Sequence, residues 1–252
     1  MIYFGKTDIG KRRKGNQDSF GIYEIAEDAL LLAVCDGMGG AAGGEEASRL
    51  ALSAFSDEVK AVLCPRVKEG KLDPSEVNLT LLLENAVQCA NKAVFDEATR
   101  QPSLGGMGTT LVALLITQNG AFSVNVGDSR MYRIDRDGIE QITHDHSYVQ
   151  YLVDIGKMTA EEAKYSTNRN IIMRAVGTGK KVEADIKSVD MKGAGESWFL
   201  LCSDGLTGMV DDEDIAAIVL GDGETEDKVN SLIAAANRNG GADNITAVLL
   251  KK

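Results

Sequence analysis

The run Ala29-Leu30-Leu31-Leu32-Ala33-Val34-Cys35-Asp36-Gly37-Met38-Gly39-Gly40 constrains the fold more than any other stretch of this chain. Continuous apolar character closed by glycines predicts a strand buried on both faces. The strand delivers one carboxylate, Asp36, to the point where the chain must turn. The glycines let the backbone come close to whatever Asp36 holds. The theme recurs in Trp198-Phe199-Leu200-Leu201-Cys202-Ser203-Asp204-Gly205 and in Phe122-Ser123-Val124-Asn125-Val126-Gly127-Asp128-Ser129-Arg130. Three strands that each end in an acid beside glycine predict one acidic site at one end of the strands.

Around this frame the spacing predicts strands over 2–8 and 19–26 and helices over 45–63 and 79–99, with 64–78 as a connecting loop. Asn119-Gly120 and Asp135-Arg136-Asp137-Gly138 read as hairpin turns. A helix is expected at about 147–155, and Thr159-Ala160-Glu161-Glu162 is a capping box opening another. Residues 182–189 alternate, 211–220 and 226–238 have helical spacing, and 244–250 closes the chain as a strand. Hairpins set apart from a pair of long helices predict an α+β fold, with two antiparallel sheets packed together and helices outside. An alternating βαβ sheet would need a helix between most strands.

At 252 residues the expectation is one domain spanning 1–252. A net charge of −11 argues against nucleic acid or an anionic membrane as the main partner. The four cysteines form no CxxC pair, and two lie inside apolar strands, so they read as reduced core thiols. No signal-like apolar leader and no run of membrane-spanning length is present, so a cytoplasmic protein is expected.

Asp18, Asp36, Asp128, Asp204 and Asp243 each sit beside glycine, asparagine or glutamine in tight loops. Any one alone reads as a plain turn. If they converge, two carboxylates ~4 Å apart repel by roughly 4 kcal/mol at a surface-like dielectric, so cations or raised pKa values are needed. An all-oxygen ligand set selects Mg²⁺ or Mn²⁺ over zinc or copper. Two such ions sharing a carboxylate hold and acidify a water that attacks phosphorus. Arg13 has a planar fork suited to two phosphate oxygens. From composition alone, 11–14 reads rather as a solvated basic loop.

Other readings are weaker. Gly37-Met38-Gly39-Gly40-Ala41-Ala42 fits a dinucleotide-binding pattern, but the downstream hairpins contradict the fold that pattern needs. A phosphatase working through an aspartyl-phosphate would want an acid where Met38 stands. His144 and His146, flanking Asp145, read as loop packing rather than as ligands.

The set Arg13-Lys14-Gly15-Asn16-Gln17-Asp18, Asp36-Gly37-Met38-Gly39-Gly40, Met107-Gly108-Thr109-Thr110, Val126-Gly127-Asp128-Ser129-Arg130, Thr143-His144-Asp145-His146-Ser147, Ser203-Asp204-Gly205-Leu206-Thr207 and Asp243-Asn244 resembles the metal-dependent PPM (type 2C) Ser/Thr protein phosphatases in their compact bacterial form. The motifs fall in family order over nearly the whole chain. The resemblance implies a four-layer α-β-β-α sandwich with a two-metal centre at one end, binding Mn²⁺ or Mg²⁺. Asp36 would bridge both ions and the Gly37 carbonyl would bind one. Asp204 and Asp243 would hold the other, with Asp18 close by. Arg13 would grip the substrate phosphate, and Asp128 with Asp204 would hold a third, weaker ion. Residues of about 147–175 would form a flap. The partners implied are phosphorylated proteins, a Ser/Thr kinase and its substrates among them, acted on by a monomer. Gln17, Met38 and Gly208 depart from the family pattern. A non-catalytic phosphoprotein-binding member of the same fold is the alternative reading.

Overall fold

The structure is a computed structural model that describes residues 1–26, 29–68, 78–191 and 196–252. Strand β3 (Ala29–Met38) is buried on both faces, with Leu30 to Cys35 no more than 3% exposed. Its alternate residues serve different cores, because successive side chains of a strand point to opposite faces. Leu31, Ala33 and Cys35 pack under helices α1 (Ala41–Lys68) and α2 (Leu79–Arg100). Leu30, Leu32 and Val34 face inward, where they meet Phe199 and Leu201 of β10 (Trp198–Cys202). On the far side of β10, Trp198, Leu200 and Cys202 pack under α6 (Asp212–Leu220) and α7 (Thr225–Arg238). Two doubly buried strands therefore generate three apolar layers and four layers of secondary structure.

Both sheets are antiparallel. One runs β1 (Ile2–Asp8), β11 (Ile245–Lys251), β10, β7 (Arg130–Asp135), β8 (Gly138–Gln141). The other runs β2 (Asp18–Ala26), β3, β5 (Leu111–Thr117), β6 (Gly120–Val126), β9 (Asp185–Val189). The short β4 (Gly108–Thr109) pairs with the end of β3. The expected sandwich of two antiparallel sheets between helical layers is what the chain forms.

Three local expectations need correction. Helix α1 begins at Ala41 rather than Glu45 and takes Gly43 and Gly44 into its first turn. The reason is tertiary: a Cβ on Gly37 would stand 1.9 Å from the Gly44 carbonyl oxygen, so glycine lets the helix lie on the Asp36-Gly37 turn. The same helix runs on to Lys68, past Pro65, where a connecting loop was expected; 69–77, the rest of that loop, lies outside the described residues. Only Asp185–Val189 of the alternating stretch is strand. Two short helices follow β8: α3 (Tyr148–Asp154), capped by Ser147, and α4 (Ala160–Tyr165), whose capping box between Thr159 and Glu162 is formed. Among the described residues no helix is long and apolar enough to cross a membrane.

Candidate active site

The topology gathers the five acids at one end of the sandwich. Asp36 lies two residues before the end of β3, and the β2–β3 register sets Asp18 directly opposite it. Asp128 lies in the short link where the chain passes from β6 in one sheet to β7 in the other. Asp204 follows β10, at the first residue of the short helix α5 (Asp204–Thr207), and Asp243 precedes the neighbouring strand β11. That helix was not expected; Asp-Gly after an apolar strand reads as a bare turn.

Neutral hydroxyls and amides hold the acid-bearing turns in place. The Asp36 carbonyl accepts from the Thr109 hydroxyl and the Thr110 N–H, both at 2.9 Å, and its N–H donates to Thr110 Oγ1 at 2.9 Å. Thr110 Oγ1 also lies 2.7 Å from Ser129 Oγ, which ties the Asp36 turn to the Asp128 turn. Asp18 Oδ2 accepts from Ser203 Oγ at 2.7 Å and Thr246 Oγ1 at 2.6 Å, so one carboxylate oxygen stitches the second sheet to the first. Asn244 donates to the carbonyls of Ile9 and Gly15, both at 3.0 Å, and accepts from the Gln17 N–H at 2.9 Å. One buried amide thus fixes both ends of the β1–β2 loop. Gln17 packs against Gly44 and donates to the Gly40 carbonyl at 2.5 Å, a structural use of the position.

The cost of this gathering shows in the titration of the acids. Burial, followed by the charges of Asp18, Asp204, Asp128 and Asp243, pushes the Asp36 carboxyl well above its ordinary range. Burial raises Asp18 to about 6 against its two hydroxyl hydrogen bonds. Burial, with Asp204 and Asp145 adding, raises Asp128 to about 8. Asp204 is raised by burial and by Asp243. Among the described residues no three acid, histidine or cysteine side chains already stand at metal-ligand spacing. Asp18 Oδ1 and Asp204 Oδ1 are nevertheless buried without a hydrogen-bond partner. Such orphaned anionic oxygens are costly unless something positive meets them. An all-oxygen set with spare carboxylate lone pairs fits a hard divalent cation.

Arg13 comes to the same place from the β1–β2 loop, with Nη2 2.6 Å from Asp243 Oδ2. The histidines stand apart from it. His146 Nδ1 accepts from the Gly127 N–H at 3.1 Å, its Nε2 faces Arg174 and Asp185, and His144 pairs with Asp154 at 2.9 Å. His146 packs at the base of the 147–175 segment, whereas His144 is exposed and only pairs with that segment's Asp154. One element went unnoticed in the sequence: Arg130 forks onto the buried Asp145 at 2.7–3.0 Å and onto the Tyr132 hydroxyl at 2.9 Å. An arginine two residues past Asp128 was the available signal. A cleft of about 480 Å³ opens between this pair and the 147–175 segment, reaching Asp128, Asp204 and Gly208, with Lys164 and Tyr165 on its other wall. A larger groove of about 780 Å³ lies beside α2 near Gln88 and Lys181, away from the acids.

The profile of the family described as Protein phosphatase 2C matches residues 10–250. A serine/threonine phosphatase, stp, of Listeria innocua is 35% identical over 247 residues, covering 98% of this chain and 94% of that one. The crystal structure of the Mycobacterium tuberculosis serine/threonine phosphatase PstP superimposes with a TM-score of 0.84 at 36% identity, over 98% of this chain and 97% of the other. The catalytic domain of a PstP solved with two manganese ions gives a TM-score of 0.78 at 35% identity, covering 98% and 96%.

Proposed function

Because the chain belongs to the protein phosphatase 2C family of Ser/Thr phosphatases, we propose that it removes phosphate from phosphoserine and phosphothreonine of proteins at this acidic end, using two Mn²⁺ or Mg²⁺ ions. Asp36 would be shared between both ions, the Gly37 carbonyl would serve one, and Asp204 and Asp243 would hold the other, with Asp18 beside them. The observation that carries the reading is the pair of buried, partnerless oxygens on Asp18 and Asp204 within a cluster of strained acids. Residues 1–252 act as one phosphatase domain, with 147–175 as a flap over the cleft. Its protein substrates include a Ser/Thr kinase and that kinase's targets, met by a monomer in the cytoplasm.

Bound cations supply charge to offset the phosphate dianion and lower the pKa of the attacking water. The chain's own residues divide the remaining work. Arg13 swings between Asp243 and the substrate, its guanidinium taking two phosphate oxygens. Water is then the nucleophile, since the acids are committed to holding cations and the thiols are shut away. Both thiols near the acids are buried, and burial pushes Cys202 up to about 12. No phospho-enzyme forms. Turnover of p-nitrophenyl phosphate with Mn²⁺, abolished by chelator, is the expected result; a phosphoprotein-binding module would be silent in both arms.

Arg13→Ala is expected to raise KM for a phosphopeptide about tenfold, the worth of one charge-assisted contact. Its affinity for Mn²⁺ should not fall, since the guanidinium competes with cations for Asp243. Unchanged kinetics at every substrate level would return Arg13 to the role of a surface ion-pair partner.

Asp128 faces the cleft beyond Asp204 and is assigned to the third, weaker ion. Asp128→Ala should keep the tight pair of Mn²⁺ ions by calorimetry yet lose most turnover. The loss should be larger for a phosphoserine peptide, whose alkoxide needs a proton, than for p-nitrophenyl phosphate, whose leaving group does not. Equal losses on both substrates would reject a part in leaving-group protonation, and loss of the tight ions would place Asp128 in the core pair.

A further inference from the structure

The loop that carries Arg13 carries three more cations that the site does not use. Lys11, Arg12, Arg13 and Lys14 are consecutive and exposed. Arg13 pairs with Asp243, whereas Lys11, Arg12 and Lys14 make no ion pair with the described residues. This block stands out in a chain with 38 acidic side chains against 27 basic ones.

The loop is held rigidly against the acidic end. Asn244 grips the carbonyls of Ile9 and Gly15 at its two ends. The Lys11 N–H donates to the Gly241 carbonyl at 2.8 Å, and the Gly10 N–H to Asp8 Oδ1 at 2.9 Å. Gly10 has φ +75°, and a Cβ there would stand 2.1 Å from the Asp243 carbonyl oxygen, so only glycine permits so close a seat. Four basic side chains are thereby presented beside Asp243 on a backbone with little freedom left to lose on binding.

We infer that Lys11, Arg12 and Lys14 form a specificity rim that selects phosphopeptides bearing a second acidic group close to the scissile phosphate. This rests on the phosphatase reading above and extends it to the substrate's flanking sequence. An acidic phosphopeptide approaching a protein of charge −11 is repelled over most of the surface. The rim supplies a local opposite field at the one place where the phosphate must enter. An extended chain advances about 3.3 Å per residue, and long basic side chains reach further, so the group selected lies within about three residues of the phosphoresidue. Its chemistry is anionic, supplied by Asp or Glu or by a second phosphate.

Three phosphothreonine peptides test the inference, identical except for flanks of Asn and Gln, of Asp and Glu, or of a second phosphothreonine. They are assayed with Mn²⁺ on the wild-type chain and on the triple variant Lys11→Gln, Arg12→Gln, Lys14→Gln. For the wild type at low salt, kcat/KM should favour at least one anionic peptide over the neutral one by about tenfold, or about 1.4 kcal/mol. The preference should shrink with added salt, because exposed charges are screened beyond roughly 10 Å at 0.1 M. In the triple variant the ratio should fall to about one, with turnover of p-nitrophenyl phosphate unchanged. Which anionic peptide is preferred tells carboxylate from phosphate. A wild type without preference, or a variant that keeps it, overturns the inference. Arg12→Glu alone, which leaves Lys11 and Lys14 in place against one new carboxylate, should weaken the preference well below that of the wild type without abolishing it. Failure of the phosphatase reading looks different: no peptide and no p-nitrophenyl phosphate would turn over at all.

Discussion

Asp36→Asn is expected to stop turnover while making the metal-free protein harder to melt. The loss of activity follows from position: Asp36 feels the charge of four other acids, so it is the group best placed to be shared between two cations. Loss of one preorganised electrostatic group costs about a hundredfold to a thousandfold in kcat, and a bridging ligand belongs at or beyond the upper end. The gain in stability follows from the same geometry. Asp36 and Asp18 stand directly opposite across β2 and β3, an arrangement in which like charges destabilise a sheet. Asparagine keeps the shape and removes the charge, and its backbone keeps the three hydrogen bonds to Thr109 and Thr110. About 1 kcal/mol gained would raise Tm by roughly 2–4 °C for a domain of this size. Kinetics with Mn²⁺ and thermal melts with chelator at neutral pH measure the two effects. Wild-type turnover would falsify the shared-ligand role, and a melt several degrees lower would make Asp36 a structural residue instead.

Such a trade of stability for function explains which features were legible in the sequence. The doubly buried strands at β3 and β10 were visible because their periodicity is local, and the acids were visible because each sits where an apolar run stops. What holds those acids was not. Ser203 and Thr246 meet Asp18 across 185 and 228 residues of chain, and Arg13 meets Asp243 across 230. A serine or threonine at a strand end carries no local sign of which carboxylate it will serve. Thr110, within a stretch named only as part of a motif, turns out to join two acid-bearing turns through Ser129.

The misplaced helix start has the same origin. Gly43 and Gly44 argue against helix on intrinsic preference. Glycine suits both positions because Gln17 and Gly37 fill the space beside Gly44 and Met107 lies against Gly43, a fact visible only once the strands and α1 are assembled. Met38 is the reverse case. The residue type fits the end of a buried strand, and there it pairs with Gly108 of β4. Local pattern therefore predicted the frame and the charged groups, while their mutual restraint came from contacts distant in sequence.

The metal-free protein should lose stability as pH rises from about 5 to 8, and Mn²⁺ should reverse the slope. An acid whose pKa is higher in the folded state than in the unfolded chain holds its proton more tightly when folded. The native state then binds more protons between the two values, so stability falls as pH rises through that window and levels off above it. For Asp18 the window runs from the ordinary 3.8 to about 6, and for Asp128 from 3.8 to about 8. Asp36 and Asp204 shift in the same direction. Together they make the loss on the order of a few kcal/mol, or a fall in Tm of roughly 10 °C across the window. Cations bind the ionised carboxylates and so bring their folded-state values back down, which makes the native state release protons and gain stability with pH. At a hundred times its Kd a bound ion adds about 2.7 kcal/mol. The gap between melts with Mn²⁺ and with chelator should therefore widen steadily from pH 5 to pH 8. A chelated protein whose Tm is flat or rises over that range would mean that the acids are not held together against their charge, and the proposed metal centre would lose its physical basis.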